Sequence, residues 1–166
     1  MFYEDVFRGL NKAKIRFAVT GGVAMVLYGG VRLTVDLDLI VCLRADNLEK
    51  FIAALDKLGY KPKLPVDGKA FLDPAMRSRW AEEKNMVVFS FHRPDKPMNL
   101  IDVFIREPID FDEIEKELVW FEAADLRIPV ISKRHLKQLK SSTHREQDAA
   151  DIRVLESMEE DKDKNG

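Results

Sequence analysis

The chain has 166 residues, 46% of them hydrophobic and 34% charged, with a net charge of -2; this is the size of one domain with its own core. That balance excludes binding nucleic acid through overall charge, and the single cysteine, Cys42, excludes an intrachain disulfide and is expected to be inertly buried. No uninterrupted apolar run approaches the ~20 residues that cross a bilayer, and MFYEDVFRGL lacks the basic-then-apolar order of a signal peptide, so no membrane association and a cytoplasmic setting are expected.

In chain order, residues 3–14 carry Val6, Phe7 and Leu10 at helical spacing and predict a short amphipathic helix. RFAVT (16–20) predicts a strand that runs into Gly21-Gly22. The following GVAMVLYGG predicts a short buried helix stopped by Gly29-Gly30. LTVDLDLIVCL (33–43) predicts a strand. Asp46, with Glu49 three residues on, predicts a capped helix that ends at Gly59.

Residues 61–79 are rich in Pro, Gly and Lys and predict a loop with one helical turn. NMVVFSFH (85–92) and LIDVFI (100–105) predict two strands joined by a proline-containing turn, hence antiparallel. A short acidic segment follows. VWFEAA and LRIPVI predict strands separated by a turn near Asp125, with Trp120 and Phe121 serving the core. Ser132 caps the helix SKRHLKQLK, and a last helix over 145–158 places Ala149, Ile152 and Leu155 on one face. Residues 159–166 read as a solvated, disordered tail after one domain spanning 1–158. The order of elements predicts an α/β (α+β) class with a mixed, twisted sheet flanked by helices.

Two aspartates break an apolar strand. Side chains alternate faces along a strand, so Thr34, Asp36 and Asp38 share one face, and Val35, Leu37 and Leu39 share the core face. Two carboxylates two residues apart lie about 6–7 Å from one another, close enough to share divalent cations. Asp102 sits in a matching context between Ile101 and Val103. If its strand lies beside 33–43, the three acids converge. Hard oxygen donors suit Mg²⁺ or Mn²⁺ with substrate phosphates completing the shell, whereas His92, His135 and His144 are too scattered for a zinc site. The strand-to-helix turn at Gly21 and Gly22 offers backbone N–H groups to a phosphate.

This pattern resembles the DNA polymerase β-type nucleotidyltransferase superfamily, through Gly21, Gly22, Asp36, Asp38 and Asp102. Within it, GGVAMVLYGGVRLTVDLDLIV is most similar to the AbiEii-type nucleotidyltransferases of abortive-infection and toxin–antitoxin systems, including Arg32 and Thr34 before the acids. The C-terminal ISKRHLKQLKSSTHREQDAADIRVL resembles that family at Ser132, Lys140, Arg145, Asp148 and Asp151.

The resemblance implies a nucleotidyltransferase fold and transfer of a nucleoside monophosphate from an NTP to a hydroxyl or phosphate acceptor. Asp36, Asp38 and Asp102 would hold Mg²⁺ or Mn²⁺. Gly21, Gly22, Arg32, Thr34, Arg145 and Asp148 would bind the nucleotide, and Lys140 or Arg145 would stabilise developing charge. It also implies an RNA (tRNA) acceptor and an antitoxin protein as partners. The readings left open are an exposed ion-pair ladder at Arg145, Asp148 and Asp151, a non-catalytic nucleotide- or partner-binding module, and an antibiotic-modifying enzyme, which would need an added acceptor domain. The acid-free run from Arg127 to Arg145 reads as a solvated face or as a phosphate track.

Overall fold

Seven strands form one mixed sheet in the order β3-β4-β5-β2-β1-β7-β6. The computed structural model describes residues 2–165. The strands are β1 (Phe17–Thr20), β2 (Leu37–Val41), β3 (Lys61–Pro62), β4 (Val88–Arg93), β5 (Lys96–Phe104), β6 (Val119–Ala123) and β7 (Leu126–Val130). The helices are α1 (Glu4–Lys12), α2 (Gly21–Leu27), α3 (Ala45–Lys57), α4 (Pro74–Lys84), α5 (Phe111–Lys116), α6 (Lys133–Ser141) and α7 (Glu146–Asn165). Among the described residues no helix is long and apolar enough to cross a membrane.

The centre of the sheet follows from two apolar strands. β1 is buried along its whole length and pairs antiparallel with β2. β2 then pairs parallel with β5, which returns antiparallel along β4. The register opposes Leu37 to Ile101 and Leu39 to Val103, and opposes Val103 and Ile101 to Phe89 and Phe91. All six are buried on one face. Phe51 from α3, Phe71 and Trp80 close over Phe89 and Phe91 with ring centroids 4.9–6.3 Å apart. Burying each such ring contributes about 2–3 kcal/mol. Everything of opposite parity on these strands faces away from that cluster, including Asp38, Ser90 and Asp102.

Several expectations change. The strand expected over 33–43 pairs only from Leu37, so residues 33–36 lie outside the ladder. Val35 is exposed rather than core-facing, as are Val31 and Leu33. Helix α3 starts at Ala45 after an Arg44 that gives no side-chain cap, and Asp46 sits in its first turn. Residues 61–79 are more structured than a loop. They hold β3, a 3₁₀ turn (Gly68–Leu72) and the start of α4, where the Asp73 side chain accepts from the Ala75 N–H and Pro74 occupies the first turn. Trp120 is half-exposed on edge strand β6 beneath the Arg127 guanidinium at 4.7 Å, while Phe121 packs edge-on against Tyr28.

The last helix is also longer than expected. α7 runs to Asn165, through most of the segment read as a disordered tail; Gly166 lies outside the described residues. Its inward face is Asp148, Asp151 and Leu155, whereas Ala149 is exposed. As expected, β4 and β5 form an antiparallel hairpin, Ser132 accepts from the His135 N–H to cap α6, and Cys42 is buried.

Candidate active site

A polar row crosses four strands. Thr20 opposes Asp38, Asp38 opposes Asp102, and Asp102 opposes Ser90. Parity explains the row: Asp38, Asp102 and Ser90 each lie between core-facing neighbours and so point to the other face, and Thr20 joins them through its register with Asp38. The third acid thus arrives where the sequence places it, beside Asp38. Asp36 lies one step outside the ladder, still on the Thr34 and Asp38 side of the chain by the alternation of burial over 31–38.

The glycine pair is shaped around Asp38. Gly21 has φ +63, and a Cβ there would lie 2.0 Å from Asp38 Oδ2. A Cβ on Gly22 would lie 2.5 Å from Thr34 Oγ1 and 3.4 Å from Arg32 Nε. Both positions are therefore filled by neighbouring side chains, which is why no larger residue fits. The Gly22 backbone N–H favours the charged form of the Asp38 carboxylate.

The acids strain one another. Burial, then the charges of Asp102 and Asp36, push Asp38 up to about 6, against the opposing pull of the Gly22 N–H and Lys140. Burial and Asp102 also raise Asp36, opposed by Lys63. Ser90 Oγ donates to Asp102 Oδ1 at 2.5 Å and fixes that carboxylate. Carboxylates that resist ionisation beside one another suit a divalent cation, whose charge reconciles them. The donor chemistry fits Mg²⁺ or Mn²⁺. Among the described residues, however, no three such side chains are already gathered as a cage. Asp38 is turned to the glycines and Asp102 to Ser90, so the oxygens must rotate to meet on one ion.

The remaining sequence-predicted residues form a second cluster, joined to the first by the field of Lys140 on Asp38. Lys140 is 6% exposed, and Asp148 and Asp151 are 4% exposed each. Lys140 Nζ donates to Asp148 Oδ1 at 3.1 Å and to Asp151 Oδ2 at 2.7 Å. Arg32 Nη1 donates to the same Asp151 oxygen, and Gln147 to its other oxygen at 3.1 Å. Arg145 Nε and Thr143 Oγ1 complete the shell of Asp148 at 2.9 and 2.6 Å. Burial pushes Asp148 upward, but Thr143, Lys140 and Arg145 outweigh it and hold its carboxyl below the usual range.

This is a desolvated ion network, not an exposed ladder. It ties α7 to α6 and to the loop carrying Arg32. Asp148 binds cations here rather than facing open space, and Arg145 contributes from a side chain that is 76% exposed. Arg32 pairs with Asp151. Three cations face two carboxylates, so the network presents net positive charge beside the three acids. The basic run from Arg127 divides among local partners: Arg134 pairs with Glu117, Lys137 with Glu159, and Lys133 lies over the Tyr28 ring.

Sequence reasoning missed three contributors. Ser90 was legible in principle, since NMVVFSFH alternates and the hairpin sets it against Asp102. Lys63, near Asp36, has no local signal. Neither has Tyr3, whose hydroxyl reaches the Val35 and Leu100 carbonyls. Burial raises the phenol pKa far above its ordinary value, with Tyr60, Asp36 and Asp102 adding to it, so the hydroxyl keeps its proton.

No protein-family model matches the chain, and no curated protein matches it. Solved structures do. The lincosamide antibiotic adenylyltransferase LnuA, with lincomycin bound, is 19% identical with a TM-score of 0.59 over 92% of each chain. A Thermotoga maritima protein with a provisional nucleotidyltransferase assignment is 13% identical with a TM-score of 0.56, over 92% of this chain and 89% of that one. ANT(2'')-Ia, in complex with adenylyl-2''-tobramycin, is 13% identical with a TM-score of 0.54, over 91% and 83% of the two chains. At these identities the likeness is one of architecture, and it establishes that the chain has the nucleotidyltransferase fold.

Proposed function

We propose that the chain is a metal-dependent nucleotidyltransferase, moving a nucleoside monophosphate from an NTP to a hydroxyl or phosphate acceptor and releasing pyrophosphate. The observation that carries this reading is the in-register opposition of Asp38 and Asp102 on adjacent parallel strands, with Gly21 moulded against Asp38. Asp36, Asp38 and Asp102 would hold the Mg²⁺ or Mn²⁺. A divalent cation bound there offsets triphosphate charge and lowers the pKa of the acceptor hydroxyl.

The chain's own residues supply the rest. Asp102, with one oxygen fixed by Ser90, orients the acceptor hydroxyl for in-line attack. Lys140 and Arg32 provide positive charge on the Asp38 side, where pyrophosphate departs. Asp148 and Asp151 keep those cations in place rather than touching nucleotide. Gly21 and Gly22 let the Asp38 and Thr34 side chains sit tightly against the turn that would face the phosphates.

A small-molecule acceptor is the favoured class. An antibiotic adenylyltransferase of the same extent exists, matched over 92% of both chains, so no added acceptor domain is required. An RNA acceptor and an antitoxin partner, implied by the AbiEii-type resemblance, form the second reading. The test is incubation with α-labelled NTPs and Mg²⁺, with lincosamides, aminoglycosides or tRNA as acceptors. Label transfer with pyrophosphate release supports the proposal, and its acceptor arm decides between the readings. Calorimetric NTP binding without pyrophosphate release identifies a binding module instead.

A further inference from the structure

The ladder between β2 and β5 ends abruptly on its N-terminal side. Leu37 opposes Ile101, but one step earlier the partners separate: β5 continues back to Lys96, while residues 31–36 leave the sheet. Asp36 sits on the departing branch, and among the described residues no backbone–backbone hydrogen bond holds residues 31–36 outside the regular elements. One side chain fills the fork. Tyr3 Oη lies 2.5 Å from the Val35 carbonyl and 2.9 Å from the Leu100 carbonyl, sharing its single proton between them. Val35 leads directly into Asp36. Leu100 is two residues before Asp102.

The support behind Tyr3 is rigid. The residue is 4% exposed and precedes α1, whose Val6, Phe7 and Leu10 are buried in the core. Its φ of 62 is a left-handed conformation that a bulky aromatic residue rarely adopts. Such a conformation persists only where surrounding contacts over-determine it. The Tyr3 carbonyl meanwhile accepts from the Phe7 N–H at 3.0 Å, so the backbone turn and the hydroxyl contact are fixed by one short segment.

We infer that Tyr3 is a positioning residue: its hydroxyl closes the open end of the β2–β5 ladder and thereby sets Asp36 against Asp38 and Asp102. The inference rests on the proposed function for its catalytic consequence. It places the N-terminal segment, which carries no acid of the site, in control of how the three carboxylates meet.

The test is Tyr3→Phe, which keeps the buried ring and removes only the oxygen. Amide exchange at Leu37–Leu39 and Ile101–Val103 should quicken by about 10-fold, while α1 and the β6–β7 pair stay as in the wild type. The kcat for nucleotide transfer should fall by about 10-fold or more, with the KM for NTP within about 3-fold, as expected when the support of a reacting carboxylate is lost. Arg8→Gln is the control. It frees α1 from its ion pair with Asp125 without touching the fork, and should leave kcat unchanged.

Unchanged exchange in Tyr3→Phe overturns the clamp. Faster exchange with unaltered kcat overturns its positioning role, as does an equal loss of kcat in Arg8→Gln. A wild-type chain with no turnover overturns the proposed function and the positioning role together, whereas loss of the exchange effect alone leaves that function standing.

Discussion

Replacing Gly21 by alanine probes the tightest contact in the site. The residue has φ +63, and its added Cβ would lie 2.0 Å from Asp38 Oδ2, 2.6 Å from Cγ and 2.9 Å from Cβ. Holding alanine in the left-handed region costs about 1 kcal/mol relative to glycine. The three contacts force Asp38 out of its place against the glycine turn, an overpacking cost of about 1–3 kcal/mol. Together these predict a loss of about 2–4 kcal/mol, or about 5–15 °C in Tm for a chain of this size.

The assay is thermal unfolding followed by circular dichroism, run as a double-mutant cycle with Asp38→Ala. Removing the carboxylate removes the two shortest contacts, so the double variant should be more stable than additivity predicts, by about 1–2 kcal/mol. Additive effects, or a Gly21→Ala Tm within about 1 °C of the wild type, would refute the claim that glycine is required by Asp38.

Other perturbations separate the acids from the ion network. Asp38 binds its proton more tightly in the native state, at about 6, than at its ordinary 3.8. The native state therefore holds the extra proton between those values, and stability falls as pH rises through that window, by at most about 3 kcal/mol. Asp38→Asn should accordingly be more stable than the metal-free wild type at pH 7 and lose that advantage near pH 4 in urea denaturation; an equal advantage at both pH values contradicts the shift. Lys140→Met strips the buried Asp148 and Asp151 of their shared partner and should cost about 3–5 kcal/mol in urea denaturation. Arg145→Ala, which removes a mostly exposed partner, should cost under about 1 kcal/mol; reversal of that order contradicts the network.

What the sequence disclosed follows the reach of its rules. Alternation in LTVDLDLIV fixed the shared face of Asp36 and Asp38, and the short link between 85–92 and 100–105 fixed their antiparallel pairing. The placement of β5 beside β2 came from the resemblance and from the matching context of Asp102, since no local rule pairs strands so distant in sequence. The glycine pair was legible as a turn, but its close approach to Asp38 and Thr34 was not. It makes room for side chains, a fact of packing that only the folded neighbours reveal.

Asp148 and Asp151 show the opposite failure. Their i, i+3 spacing is the same whether a helix face meets water or a buried lysine, so an exposed ladder stayed an open reading and burial is the outcome. Helix α4 was hidden by the Pro- and Lys-rich stretch before it, although Asp73-Pro74 marks its start. Tyr3 lies far in sequence from every residue whose backbone it holds. Nothing in MFYED distinguishes it from an ordinary core aromatic.

The central claim is that Asp38 and Asp102 meet to support nucleotide transfer. Its most direct measurement is pyrophosphate release from NTP with Mg²⁺ by the wild type, Asp38→Ala and Asp102→Ala, each checked for native circular dichroism. The account predicts turnover in the wild type, reduced by at least about 100-fold in each variant. Turnover that survives both substitutions in folded protein would contradict it.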